Sequence, residues 1–161
     1  MIKKFNLLFL TLFNIGKIKF APGTIASFST CVLFLLLLNI FDISLILFIT
    51  IIVFFYSLFA LNNNYDDFNT EDPQEIVVDE FVGQMLPLIC IPIYETLYLI
   101  HNLYYCIAAF IIFRIFDIWK PFPVNYIDDN IEGALGIMLD DIIAGIYTVI
   151  VLFILFFFLG G

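Results

Sequence analysis

Histidine occurs once in these 161 residues, cysteine three times, and lysine and arginine together only six times. Each shortage closes off a chemistry. Six cations scattered along the chain make no basic stripe, which excludes a nucleic-acid-binding surface. Cys31, Cys90 and Cys106 lie inside separate apolar runs without metal-ligand spacing, and Cys106 and Arg114 lack the spacing of a cysteine-phosphatase loop. They read as small core residues. The single histidine, His101, sits near the end of an apolar run and reads as a packing or interfacial residue. Charged residues make up 13% of the chain against 63% hydrophobic, with a mean hydropathy of +1.10. That is too few polar groups to cover a soluble domain. The chain reads as one membrane-embedded domain spanning 1–161.

Four long apolar runs are present, 25–40, 43–61, 97–116 and 142–159. Each approaches the ~20 residues a helix needs to cross ~30 Å of hydrocarbon. A further segment, 76–93, is interrupted by Pro87 and Pro92. Lys3, Lys4, Lys17 and Lys19 precede the first run, whereas Arg114 and Lys120 follow the third of the long runs. Placing both groups in the cytoplasm requires an even number of crossings between them, so 76–93 counts as a proline-distorted crossing. The expected fold class is therefore all-α, a polytopic bundle of about five membrane-crossing helices. Its N-terminus, the acidic loop 62–80 and the active-site loop 117–141 are expected on the cytoplasmic side. Within 1–20, Phe5, Leu8, Phe9, Leu12 and Phe13 recur at helical spacing, which predicts an interfacial helix lying on the cytoplasmic leaflet.

Against this background the charged residues fall in short clusters. They are VVDEFVG with Asp79 and Glu80, FRIFDIWKP with Arg114, Asp117 and Lys120, and GIMLDDIIAG with Asp140 and Asp141. A charged side chain deep in the bilayer costs about 2.5–3.5 kcal/mol on insertion scales, so carboxylates at the ends of apolar segments need a compensating partner. Five of them against two cations leave a formal charge of −3, which a divalent cation would reduce to −1. Oxygen-only ligands favour a hard ion such as Mg²⁺ over Zn²⁺. Arg114, Asp117 and Lys120 recur every third residue, along one helix face, and suit a phosphate. Adjacent carboxylates point about 100° apart on a helix, so one member of each acidic pair is expected to ligate and its neighbour to orient or cap. Small residues at helical spacing from these pairs, Gly83, Gly136, Ala144 and Gly145, predict close helix packing. APGTIAS, 21–27, breaks the chain and starts a helix whose Thr24 hydroxyl and N-terminus suit an anion.

Taken together, APGT, EDPQEIVVDEFVG, FRIFDIWKPFPV and GALGIMLDDIIAG, in this order, resemble the phosphatidylglycerophosphatase A family over nearly the whole chain. The resemblance implies a bacterial inner-membrane, Mg²⁺-dependent phosphatase that converts phosphatidylglycerophosphate to phosphatidylglycerol. It puts Thr24, Asp72, Asp79, Glu80, Arg114, Asp117, Lys120, Asp140 and Asp141 at stake. Asp79, Glu80, Asp117, Asp140 and Asp141 are the candidate metal ligands, and Arg114, Lys120 and Thr24 the candidate phosphate binders. The nucleophile is expected to be water rather than an aspartate. Asp66, Asp67 and Glu75 read as a solvated loop. The competing reading is a small divalent-cation or proton transporter, but a transporter should carry polar groups at mid-membrane depth or an inverted repeat.

Overall fold

The computed structural model describes residues 2–64, 75–93 and 102–159. His101 and the loop residues Asp66, Asp67, Glu71 and Asp72 lie outside them. The described elements are all helical: α1 (Ile2–Leu10), a 3₁₀ turn (Ile15–Lys17), α2 (Pro22–Leu37), α3 (Ile43–Asn64), α4 (Val78–Ile89), α5 (Asn102–Trp119), α6 (Val124–Asn130) and α7 (Gly133–Leu159).

Among the described residues, three helices are long and apolar enough to cross a membrane, Ile43–Asn64, Asn102–Trp119 and Gly133–Phe158. Where five crossings were expected, α2 has 16 residues and α4 only 12. Their roles in the bundle explain the difference. Helix α4 is the centre, packed by α2, α3, α5 and α7, with Val82, Met85 and Leu88 buried. Surrounded by protein, it is relieved of the length and uniform apolarity that lipid demands. The outer surfaces of α3 and α7 expose Phe48, Ile52, Phe55, Ile150, Phe153 and Phe157. Contiguous apolar exposure of this kind marks a membrane-associated protein.

Helix α1 is shorter than the 1–20 helix expected from spacing. It ends at Leu10, and Leu12, Phe13 and Asn14 follow with positive φ. Its protein-facing side carries Asn6 and Leu10. Asn6 donates to Asn64 Oδ1 at 2.8 Å and accepts from the Tyr56 hydroxyl at 2.9 Å, while Phe9 meets Tyr56 edge to face. The anticipated apolar stripe survives in part on the outside, where Phe5 and Phe13 are exposed.

Helices α4 and α7 meet through glycines. A Cβ on Gly83 would lie 2.6 Å from the Asp141 carbonyl oxygen, and one on Gly145 would strike the Gly83 carbonyl. Pro87, four residues on, lacks the N–H that would otherwise bond that carbonyl. Gly136 does something else: it faces the Ile131 carbonyl in the turn entering α7 and makes no helix crossing.

Candidate active site

Four elements bring their polar ends to one cavity of about 400 Å³. Helix α2 contributes its first turn, with Pro22, Gly23 and Thr24; α4 contributes Asp79 and Glu80, also in a first turn. Helix α5 supplies Arg114 and Asp117 near its end, and α7 supplies Asp140 and Asp141 about two turns after its start. Two helix N-termini therefore face the same space. Their positive dipole ends favour anions there, as do the first-turn N–H groups of Gly23 and Thr24; in α4 the Glu80 N–H is already taken by Asp79 Oδ1 at 3.0 Å.

The carboxylates separate into two functional groups. Asp79, Glu80 and Asp141 each offer an oxygen, all within 4.8 Å of one another. Glu80 Oε2 and Asp141 Oδ1 are buried without a hydrogen-bond donor among the described residues. Buried anionic oxygens of this kind need a counter-charge, and an all-oxygen set at this spacing fits a hard divalent cation. The remaining pair is held by cations. Asp117 is ion-paired to Arg114, whose Nη1 also lies 3.8 Å from Glu80 and donates to the Ser27 hydroxyl at 3.4 Å. Asp140 accepts from Lys120 Nζ at 2.9 Å, and Asp128 holds the same ammonium at 2.6 Å.

Lys120 reaches this position by leaving the helix. Its φ of 44° is left-handed, and its N–H closes on the Phe116 carbonyl at 2.9 Å, as a residue ending a helix does. The expected face of Arg114, Asp117 and Lys120 is therefore broken after Asp117, and the lysine turns to α6 and α7 instead. Burial works against the Lys120 charge, but Asp140 and Asp128 outweigh it and hold the ammonium above its ordinary range.

Gly23 fits the cavity wall closely. A Cβ there would collide with the Glu80 carboxylate and come within 3.3 Å of Arg114 Nη1. The glycine of APGT thus lets α2 press its N-terminus onto the acidic and basic groups. The helix starts at Pro22, earlier than Thr24.

A family model described as Phosphatidylglycerophosphatase A matches residues 8–156. The chain belongs to the phosphatidylglycerophosphatase A family. It is 38% identical over 141 residues to Phosphatidylglycerophosphatase A of Haemophilus influenzae, covering 88% of this chain and 82% of that protein. Identity to Phosphatidylglycerophosphatase A of Escherichia coli is 30% over 141 residues, 88% of this chain and 77% of the other. A Bacteroides thetaiotaomicron protein named "Putative phosphatidylinositol-3-phosphatase" is 34% identical over 143 residues, 87% and 86% of the two chains. No solved structure matches. Membership of the phosphatidylglycerophosphatase A family makes the chain a phosphatase.

In this phosphatidylglycerophosphatase A homologue, all eight sequence-derived candidates among the described residues, Thr24, Asp79, Glu80, Arg114, Asp117, Lys120, Asp140 and Asp141, line the one cavity. Three contributors were not singled out from sequence. Lys19 lines the cavity, Ser27 receives the Arg114 hydrogen bond, and Asp128 shares Lys120. Lys19 reads as a headgroup lysine before the first run, and Asp128 as one acid in a polar loop. Ser27 carried a usable signal, since it closes APGTIAS one helical turn beyond Gly23; in the fold its hydroxyl donates to the Gly23 carbonyl at 2.9 Å.

Proposed function

We propose that this chain hydrolyses phosphatidylglycerophosphate to phosphatidylglycerol and phosphate, with Mg²⁺, at the cytoplasmic face of a bacterial inner membrane. One observation carries the chemistry: three carboxylates converge on a common point beside two cations and two helix N-termini. The names of the Haemophilus influenzae and Escherichia coli relatives support the substrate, and the lysines ahead of α2 support the cytoplasmic placement of the site. The expectation of five crossings, with α2 and α4 as the two shorter ones, belongs to this same reading.

Asp79, Glu80 and Asp141 would hold the cation, which when bound supplies Lewis-acid neutralisation of the phosphate oxygens. Asp117 and Asp140, among the five carboxylates first considered, would instead work through their ion pairs. Arg114 and Lys120 exchange those carboxylates for the incoming phosphate, which carries more charge and suits the guanidinium fork. The first-turn N–H groups and Thr24 of α2 orient its remaining oxygens. Water attacks phosphorus in line with the ester oxygen and the P–O bond to glycerol breaks; the proton lost by the attacking water passes, by way of a carboxylate, to the leaving oxygen. Asp117 or Asp140, released from its cation, would be that carboxylate, accepting the proton from the water and giving it to the leaving oxygen. Positioned positive charge stabilises the transition state, as in phosphoryl transfer generally.

The test is phosphate release in detergent micelles from phosphatidylglycerophosphate, phosphatidic acid and phosphatidylinositol 3-phosphate, with Mg²⁺ or EDTA. The expected result is Mg²⁺-dependent release that favours phosphatidylglycerophosphate. Release undiminished by EDTA would remove the metal from the proposal, and preference for another lipid would replace the substrate.

A further inference from the structure

Beside the catalytic cavity lies a groove of about 250 Å³ walled by Phe9 and Phe13, by Ala26 and Leu33 of α2, by Val53 of α3 and by Phe81 of α4. We propose that it seats one acyl chain of the lipid whose phosphate occupies the cavity, an inference that rests on the phosphatase reading above.

Two elements border both spaces. On α4, Glu80 lines the cavity and the next residue, Phe81, lines the groove. On α2, Gly23 lines the cavity and Ala26, at i+3 and about 4.5 Å further along the same side of the helix, lines the groove. The lining then continues to Leu33, roughly 10 Å deeper along α2 and away from the charged end. A glycerolipid held by its phosphate must send its chains along such a path. Among the described residues no charged side chain lines the groove, and the Thr30 hydroxyl on its wall is already bonded to the Ala26 carbonyl at 2.9 Å. Its apolar walls accept a hydrocarbon chain, and the charged cavity near one end anchors the rest of such a lipid.

In a bilayer the groove gives little affinity, because lipid tails are as apolar as the side chains lining it. Its contribution is orientation. With one chain fixed, the glycerol and its phosphate have few remaining positions, and the ester bond is presented in line. For a short-chain substrate dissolved in water the same groove does raise affinity, by about fourfold per methylene buried.

The test uses the full chain in micelles and phosphatidylglycerophosphate carrying a photoreactive diazirine on its upper acyl chain. Labelling is expected on Phe9, Leu33 or Phe81, suppressed by excess unlabelled substrate and reduced at least fivefold in Ser29→Phe, which fills the groove. Leu33→Trp serves the same purpose should Ser29→Phe fail to fold. Adducts on other helix faces, or groove labelling that excess substrate leaves unchanged, would overturn the inference, the latter being the mark of ordinary boundary lipid. Phosphate release is measured on the same samples. Release without competed labelling sinks the groove alone, whereas competed labelling without release keeps the lipid site and sinks the phosphatase reading.

Discussion

The two acidic pairs look alike in sequence and behave differently in the fold. Asp79 and Glu80 turn toward one point, where Asp141 joins them; Asp140 and Asp141 part company, one to Lys120 and the other to the α4 pair. The local backbone contact is the same in both pairs: Asp79 Oδ1 accepts the Glu80 N–H at 3.0 Å and Asp140 Oδ1 accepts the Asp141 N–H at 2.9 Å. The surroundings make the difference. The longer glutamate reaches round to the point that Asp79 faces, whereas Lys120 draws Asp140 away at 2.9 Å and leaves Asp141 to the α4 pair. The lesson is that adjacency of two carboxylates says little until the side-chain lengths and the cations within reach are known.

Substitutions can break this comparison in order of severity. Asp141→Asn removes one member of the convergent trio, and kcat/KM for phosphate release should fall about 10²–10³-fold, the scale of losing one preorganised electrostatic group. A loss below threefold would remove Asp141 from the site. Asp140→Asn touches the group that orients Lys120, and a fall of about 10–100-fold is expected. Combined with Lys120→Met, the two losses should be strongly non-additive, and simple additivity in that double-mutant cycle would show that the pair does not act as a unit. Gly83→Ala forces a methyl toward the Asp141 carbonyl, and unfolding in detergent should reveal about 1–3 kcal/mol of destabilisation. An unchanged unfolding midpoint would contradict the close crossing of α4 and α7. Asp128→Asn should do least, no more than about threefold in rate, since the Asp128 side chain is 37% exposed and Lys120 keeps Asp140.

Much of the site was legible because its residues are the chain's exceptions. In a sequence this apolar, each charge at the end of a hydrophobic run stands out, and the cavity gathers them. What the sequence concealed was how they pair. The i, i+3 spacing of Arg114, Asp117 and Lys120 describes a continuous helix, and nothing in that spacing discloses that the backbone turns left-handed at Lys120. Helix limits were blurred for a related reason. Hydropathy starts the last helix at 142, but α7 begins at Gly133, because Asp140 and Asp141 interrupt an apolar stretch that runs on either side of them in one helix. Similarly, α4 reads as a distorted crossing when only its composition is seen, and its short length makes sense once its neighbours are known. Lys19 and Asp128 were hidden by looking like ordinary surface charges.

The bond between Asn6 and Asn64 spans 58 positions of the chain. Both partners of Asn6, Tyr56 and Asn64, stand on α3, so α1 finds its seat only against a formed α3. Away from α3, the buried amide of Asn6 would have to be satisfied by water or headgroups. The first helix is a latch whose catch is carried by the third.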